Sequence, residues 1–234
     1  MLEQIVELEK SFFLSLNRVH TPFWDAFMYL MSAHFTWAAV VICLVIWLFY
    51  KKPWQEALLF ILIVVLMMVA ADLVVSSFLK PLVQRLRPTH HNMTKDFVTT
   101  VYGHLAGGYS FPSGHATNFF CITMFTSFVF RDRLYSWIMF TLAAVVAYSR
   151  IYLGVHFISD VVIGVLFGLL IGWSFYRLYK WVRSKLFSTK KPPYKQFKTT
   201  ISLLSMTLLL YTFFMLACSM EMSRAIVRIG FYAS

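Results

Sequence analysis

Between Lys80 and Asp160 lie side chains suited to one kind of chemistry, the transfer of a phosphoryl group. Lys80, Arg87 and Arg150 are cations for phosphate oxygens, arginine supplying a planar fork and lysine a point charge. His156 and Asp160 stand four residues apart, so on a helix they share a face. A carboxylate there accepts a bond from one imidazole nitrogen and leaves the other as a nucleophile. Pro112, Ser113, Gly114 and His115 head an apolar run. Proline and serine favour a helix start, where free amides and the helix dipole attract anions. Glycine lets the backbone approach a ligand closely. The Ser113 hydroxyl and the Gly114 amide thereby become phosphate contacts, and His115 is placed to protonate a leaving alkoxide.

Taken singly, each piece has a blander explanation. Lys80 and Arg87 share a helical face if the preceding helix runs on towards Pro88, yet two cations at a helix end also read as snorkelling side chains. Pro112 to His115 also reads as a helix cap with an incidental histidine, and His156 with Asp160 as an interfacial ion pair. The elements that carry these residues weigh against all three.

The 234 residues are 59% hydrophobic, 18% aromatic and 13% charged, a membrane protein's balance. The sequence predicts an all-α, single-domain bundle of six transmembrane helices, at 27–50, 57–79, 114–130, 134–149, 160–180 and 201–218. The third and fourth are short against the roughly 20 residues a crossing needs. A re-entrant pair is the alternative, but it would bury the Arg131–Arg133 turn. The net charge of +11 comes from cations flanking the apolar runs, a topology signal, so no nucleic-acid partner is expected. Lys51, Lys52, Arg131, Arg133 and the cations from Arg177 to Lys198 fall on one side and hold more than half of the lysines and arginines. The positive-inside rule makes that side cytoplasmic. Both termini and all three polar pieces then face outward, to periplasm, exterior or lumen, and this convergence sets them apart from chance cations and caps. Residues 80–113 form the one long outward loop, the kind of connection that carries function. Cys43, Cys121 and Cys218 lie apart inside apolar runs, which implies neither disulfides nor a zinc site. No cationic leader of a signal peptide precedes the first apolar run.

In KPLVQRLRP, PSGH and SRIYLGVHFISD the chain resembles the type 2 phosphatidic acid phosphatases. That family's motifs are a lysine with Arg-Pro seven residues on, Pro-Ser-Gly-His, and Ser-Arg followed at fixed spacing by His and Asp, and all three are complete here. The resemblance implies His156 as nucleophile, Asp160 as its partner and His115 as general acid, then base. It implies Lys80, Arg87, Ser113, Gly114 and Arg150 as phosphate ligands. It further implies a reaction with neither metal nor cofactor, on a phosphorylated lipid within a bilayer. Polyprenyl diphosphate, phosphatidylglycerophosphate, phosphatidic acid and a lipid A phosphate present the same head chemistry, and the compact size suits a bacterial inner membrane. The rivals are a phosphotransferase using the same site and a non-catalytic lipid-phosphate binder or transporter. The latter has no need of both histidines and Asp160.

Residues 1–26 begin with an amphipathic helix, read either as an interfacial element over the substrate entrance or as a packing helix. Asp72, within a span, is expected to face the bundle interior or pair with a cation. His90, His91 and His104 read as solvated loop side chains, and His20 and His34 as structural.

Overall fold

The computed structural model describes residues 2–50, 54–187 and 197–228. Among the described residues the chain is helical and has no strand. Helices α1 (Leu2–Asn17) and α2 (Pro22–Ser32) are followed by a 3-10 turn, His34–Trp37, and α3 (Ala38–Phe49). Then come α4 (Trp54–Val83), α5 (Gly114–Phe130), α6 (Arg133–Tyr152), α7 (Ile158–Leu186) and α8 (Lys198–Arg228).

Four of these, α4, α6, α7 and α8, are long and apolar enough to cross a membrane. The count becomes five if α2 and the His34–Phe49 segment, bent by 69°, form one broken span. The sequence expectation of six is therefore met only in part. The segment 27–50, expected as one straight span, breaks after Ser32, and α5 at 17 residues is shorter than a full crossing. The break has a local cause. Ala33 is extended, and the Thr36 hydroxyl donates to Leu30 and Ala33 carbonyls that helix continuation would otherwise use. The cations at Lys51, Lys52, Lys190, Lys191 and Lys195 lie outside the described residues.

α4 changes character before it reaches the polar loop. Leu73–Leu79 is π-helical, and Gln84 takes a left-handed conformation at φ 49° that ends the helix. Lys80 and Arg87 thus do not share a helical face as their spacing suggested. The chain turns between them. Asp72 lies exposed on α4 rather than inside the bundle, and takes the other of its two expected placements, within electrostatic reach of the Lys80 cation.

α5 and α7 are the closest pair, and the reason is glycine. Gly164, Gly168 and Gly172 recur every fourth residue on the face of α7 that meets α5. A Cβ at Gly164 would stand 2.6 Å from the Ser113 carbonyl oxygen, and one at Gly168 2.5 Å from that of Thr117. Only hydrogen at these positions allows so close an approach, the small-residue logic of membrane helix pairs. This contact joins the helix that begins with Gly114-His115 to the one that follows His156.

α1 turns Val6, Phe13 and Leu14 inward, where they pack with Ala116 of α5, Ala147 and Ile151 of α6, Val161 of α7 and Phe157 just before α7. Leu8 and Phe12 remain exposed on its other side. Asn17, at the end of α1, bonds the long loop at Thr99 through both amide atoms and also donates to the Ile151 and Tyr152 carbonyls. The 84–113 connection is thus pinned against the end of α6.

Candidate active site

At one end of the bundle a cavity of about 350 Å3 opens. Its lining includes Lys80, Arg87, Gly114, His115, Arg150 and His156, brought from α4, the long loop, α5, α6 and the α6–α7 turn. Six of the eight residues singled out in the sequence meet here. The other two, Ser113 and Asp160, lie behind the wall.

His156 is 2% exposed and sits in the turn before α7. An Arg87 Nη1 donor approaches its Nε2 at 3.4 Å, so that nitrogen carries the lone pair. Its Nδ1 is 3.3 Å from the Ser110 hydroxyl and 3.6 Å from Asp160 Oδ2. The latter separation is too long for a direct hydrogen bond. Ser110 stands between the two: its hydroxyl donates to Asp160 Oδ2 and receives the imidazole Nδ1–H. Sequence reasoning pairs His156 and Asp160 directly, whereas the structure links them through Ser110. Burial pushes the His156 imidazole down to about 4, Asp160 opposing the shift and the Arg87 and Arg150 cations adding to it. The ring is therefore neutral near pH 7.

Asp160 is fully buried, with both oxygens occupied. Oδ2 also takes the Phe157 amide at 2.9 Å, closing the first turn of α7, and Oδ1 takes Arg85 Nη1 at 2.6 Å. Charge-assisted bonds of this length hold a carboxylate in one orientation.

The two buried arginines of the cavity are held by neutral partners. Arg87 Nε donates to the Gly107 and Gly108 carbonyls and Nη1 to that of Val155. Arg150 Nη1 donates to the Ser32 hydroxyl. Fastening an arginine by carbonyls and hydroxyls leaves its charge uncancelled and available to an anion. Ser113 is buried as the N-cap of α5, its hydroxyl facing the Ala116 amide, while its own amide donates to the Asp160 carbonyl at 3.0 Å. That backbone bond ties the two histidine-bearing segments together.

His115 Nε2 lies 3.1 Å from the Ser32 carbonyl, which accepts only, so Nε2 carries the proton and Nδ1 the lone pair. The His34 ring, read from the sequence as structural, stands 4.5 Å from that of His115 and lines the same cavity. His104 also lines the cavity and is half-buried rather than fully solvated. Burial, with Arg150 and Arg87 beside it, lowers its pKa. His91 is buried too, between Glu3 and the Phe157 ring. His20 bonds Asp25 and the Asn17 carbonyl.

Sequence reasoning missed Ser110, Arg85, Glu9 and Ser32. Arg85 sits between two motif positions, and Ser110 two residues before Pro-Ser-Gly-His. No spacing rule separates them from ordinary loop residues, and Glu9 looked like one acid on an amphipathic helix.

Buried fixed arginines, a neutral histidine with a lone pair on Nε2 and a second histidine lining one cavity are groups suited to phosphoryl transfer in a helical membrane protein. The model of the PAP2 superfamily matches residues 62–184, and the chain belongs to that superfamily. It is 40% identical over 225 residues to a lipid A 4'-phosphatase of Porphyromonas gingivalis, covering 95% of both chains. It is 34% identical to a lipid A 4'-phosphatase of Bacteroides thetaiotaomicron, covering 83% of this chain and 87% of that one. The solved structure of a Bacillus subtilis PAP2-type phosphatidylglycerolphosphate phosphatase superposes with a TM-score of 0.57 at 24% identity, covering 80% of this chain and 90% of that one. Aquifex aeolicus LpxE does so at 0.55 and 27%, covering 73% and 95%. The protein is thus an integral membrane protein of a phosphatase family.

Proposed function

We propose that this protein is a lipid phosphatase that removes a phosphate monoester from a bacterial envelope lipid, with lipid A phosphate as its substrate, through a phosphohistidine on His156. The observation that carries the chemistry is the meeting of Lys80, Arg87, Arg150, His115 and His156 around one cavity. Full-length likeness to two lipid A 4'-phosphatases supports the substrate.

The phosphate enters among Lys80, Arg87, Arg150 and the Gly114 amide at the head of α5. His156 Nε2 attacks phosphorus in line, and its Nδ1 proton is held by Ser110 and Asp160. The P–O bond to the lipid breaks as Nε2–P forms. With the phosphate bound, His115 carries a second proton on Nδ1; it hands that proton to the departing alkoxide and, neutral again, removes one from water in the second step. The water oxygen then bonds phosphorus, the N–P bond breaks, and inorganic phosphate leaves. Cations fixed in advance stabilise the transferring group without reorganising, usually the largest single contribution to such a reaction. Ser113 acts from behind the wall, capping α5 and aiming its amides. The groups of this chain suffice for each proton and charge in the scheme, so the reaction needs neither metal nor cofactor.

With α2–α3 as one bent crossing and α5 as another, the helices make six. α5 is about 25 Å long and runs along α7 on the glycine stripe, which favours a shared membrane thickness. Arg131, Arg133, Arg177, Lys180, Arg183 and Lys185 lie at the end away from the cavity, so the positive-inside rule puts the site on the outward, periplasmic face.

Purified protein in detergent with chelator is offered lipid A phosphorylated at both ends, phosphatidylglycerophosphate and undecaprenyl diphosphate, and free phosphate is measured. Faster release from lipid A than from the others is expected. Release from none, or only with added metal, overturns the reading. In a cysteine-free background, Met93→Cys should react with an impermeant thiol reagent in intact cells and Ser184→Cys should not. The opposite pattern would place the site in the cytoplasm.

A further inference from the structure

Behind the cavity lies a charged cluster, Glu9, Arg85 and Asp160, none of which lines it. Arg85, 4% exposed, donates from Nη1 to Asp160 and to the Ser159 hydroxyl at 2.7 Å, and from Nη2 to Glu9 of α1. Glu9 in turn accepts the Ser159 amide and hydroxyl, each at 2.8 Å. The guanidinium also stacks 4.5 Å over the Phe157 ring.

Such a triad is hard to explain as mere anchorage. Burying charges costs several kcal/mol per ion, and apolar residues often hold a fold as well. α1 already docks by Val6, Phe13 and Leu14. The charge count gives a better reason. Arg85 alone would cancel the charge of Asp160, leaving little pull on the imidazole beyond Ser110. With Glu9 on its far side, Glu9, Arg85 and Asp160 together keep one net negative charge, while the guanidinium still fixes Asp160 in place.

We propose that Glu9 and Arg85 are positioning residues of the reaction, Arg85 locking the Asp160 carboxylate and Glu9 offsetting Arg85 so that Asp160 acts on His156 through Ser110. α1 is then part of the catalytic architecture. This rests on His156 being the nucleophile. The other charged or titratable groups that face His156, namely Arg87, Arg150 and His115, stay in place in every variant below.

The test compares wild type, Glu9→Gln, Arg85→Lys, Arg85→Gln and the exposed-site control Glu7→Gln, each purified in detergent. A soluble nitrophenyl phosphate reports kcat, KM and the acid limb of kcat/KM, and thermal unfolding reports the folded fraction. Partners directly behind metal ligands typically contribute about 10–100-fold; Glu9 acts further back, through Arg85, Asp160 and Ser110, so Glu9→Gln should lower kcat by about 10-fold, the low end of that range. Its KM should stay within about twofold, since Glu9 touches no substrate. The acid limb should move to lower pH in Glu9→Gln, where a negative charge is lost, and to higher pH in Arg85→Gln, where a positive one is lost. Arg85→Lys, keeping the charge but not the fork, should retain more activity than Arg85→Gln, and Glu7→Gln should match wild type. Unchanged kcat in Glu9→Gln, a loss that only follows the folded fraction, or limbs moving the same way overturns the proposal. If wild type itself releases no phosphate, the phosphatase reading falls and this inference with it. If wild type is active and Glu9→Gln equals it, only the inference falls.

Discussion

The two ends of this bundle are built on opposite plans. Around the cavity the interior is polar and nearly every charge is fixed by a named partner: Asp160 by Arg85, Ser110 and the Phe157 amide, Arg87 by three carbonyls, Arg150 by Ser32. At the far end the interior is a cluster of rings. Phe60 stacks on Phe130 at 5.7 Å and meets Phe125, Tyr179 and Phe197 at between 5.4 and 6.3 Å. One buried pair, Arg183 with Glu56 at 3.0 Å, joins α7 to α4 there. The ring cluster stabilises by area and shape, which tolerate small repacking. The polar end stabilises less but dictates geometry, because a half-satisfied buried network is costly and has few alternatives. The glycine stripe of α7 couples the two, so that packing along one helix pair sets the distance between His115 and His156.

Substitutions at each end should therefore fail differently. The largest effect is expected at the nucleophile. His156→Ala should form no phosphoenzyme and release no phosphate. His115→Ala removes an acid and base worth about 10²–10⁴-fold. With a nitrophenolate leaving group, which needs little protonation, it should still label His156. Because water has lost its base, the phosphohistidine should then accumulate, as early quenching and mapping of acid-labile phosphate would reveal. Label on His115 or Ser113 would reverse the roles.

At the other end the expected loss is stability without catalysis. Glu56→Ala takes the carboxylate away from buried Arg183, at a cost of about 3–5 kcal/mol. Denaturant or thermal unfolding in detergent should register it, while kcat per folded molecule stays at the wild-type value. A fall in that kcat would show the two ends to be less separate than their construction implies.

Gly168→Ala probes the seam. Its methyl group would press on the Thr117 carbonyl, so α5 and α7 must part at a cost of about 1–3 kcal/mol, typical of overpacking. Both the melting temperature and kcat should drop, and a drop in only one would assign the stripe to one end alone.

The smallest effect sharpens the electrostatics of the polar end. Burial holds the His156 imidazole down to about 4, so the reactive neutral form persists as pH falls until that value is approached. Nitrogen NMR of labelled histidine should find this ring neutral at pH 5, where an ordinary histidine with a pKa near 6.5 is mostly protonated. The acid limb of kcat/KM, corrected for ionisation of the substrate phosphate, should fall below pH 6. A limb at 6.5 would mean that water reaches the ring.

Much of this protein is written in local sequence. Long apolar runs force helices because a backbone in lipid must satisfy its own hydrogen bonds, and helices formed over all six expected segments. The phosphate-site residues were legible because their types are expensive to place beside apolar runs without a use. What local sequence could not decide was how chain breaks aim them. Lys80 and Arg87 meet at the cavity through a left-handed Gln84 rather than a continuous helix, and α2 and α3 bend so that Ser32 reaches Arg150 and His34 reaches His115. Arg85, Ser110 and Glu9 were silent for a related reason. Their partners lie 75, 50 and 76 residues away in the chain, as Asp160 for the first two and Arg85 for Glu9. A pattern read over a few residues sees the charge of a side chain and the face it occupies, but not what tertiary folding brings against it.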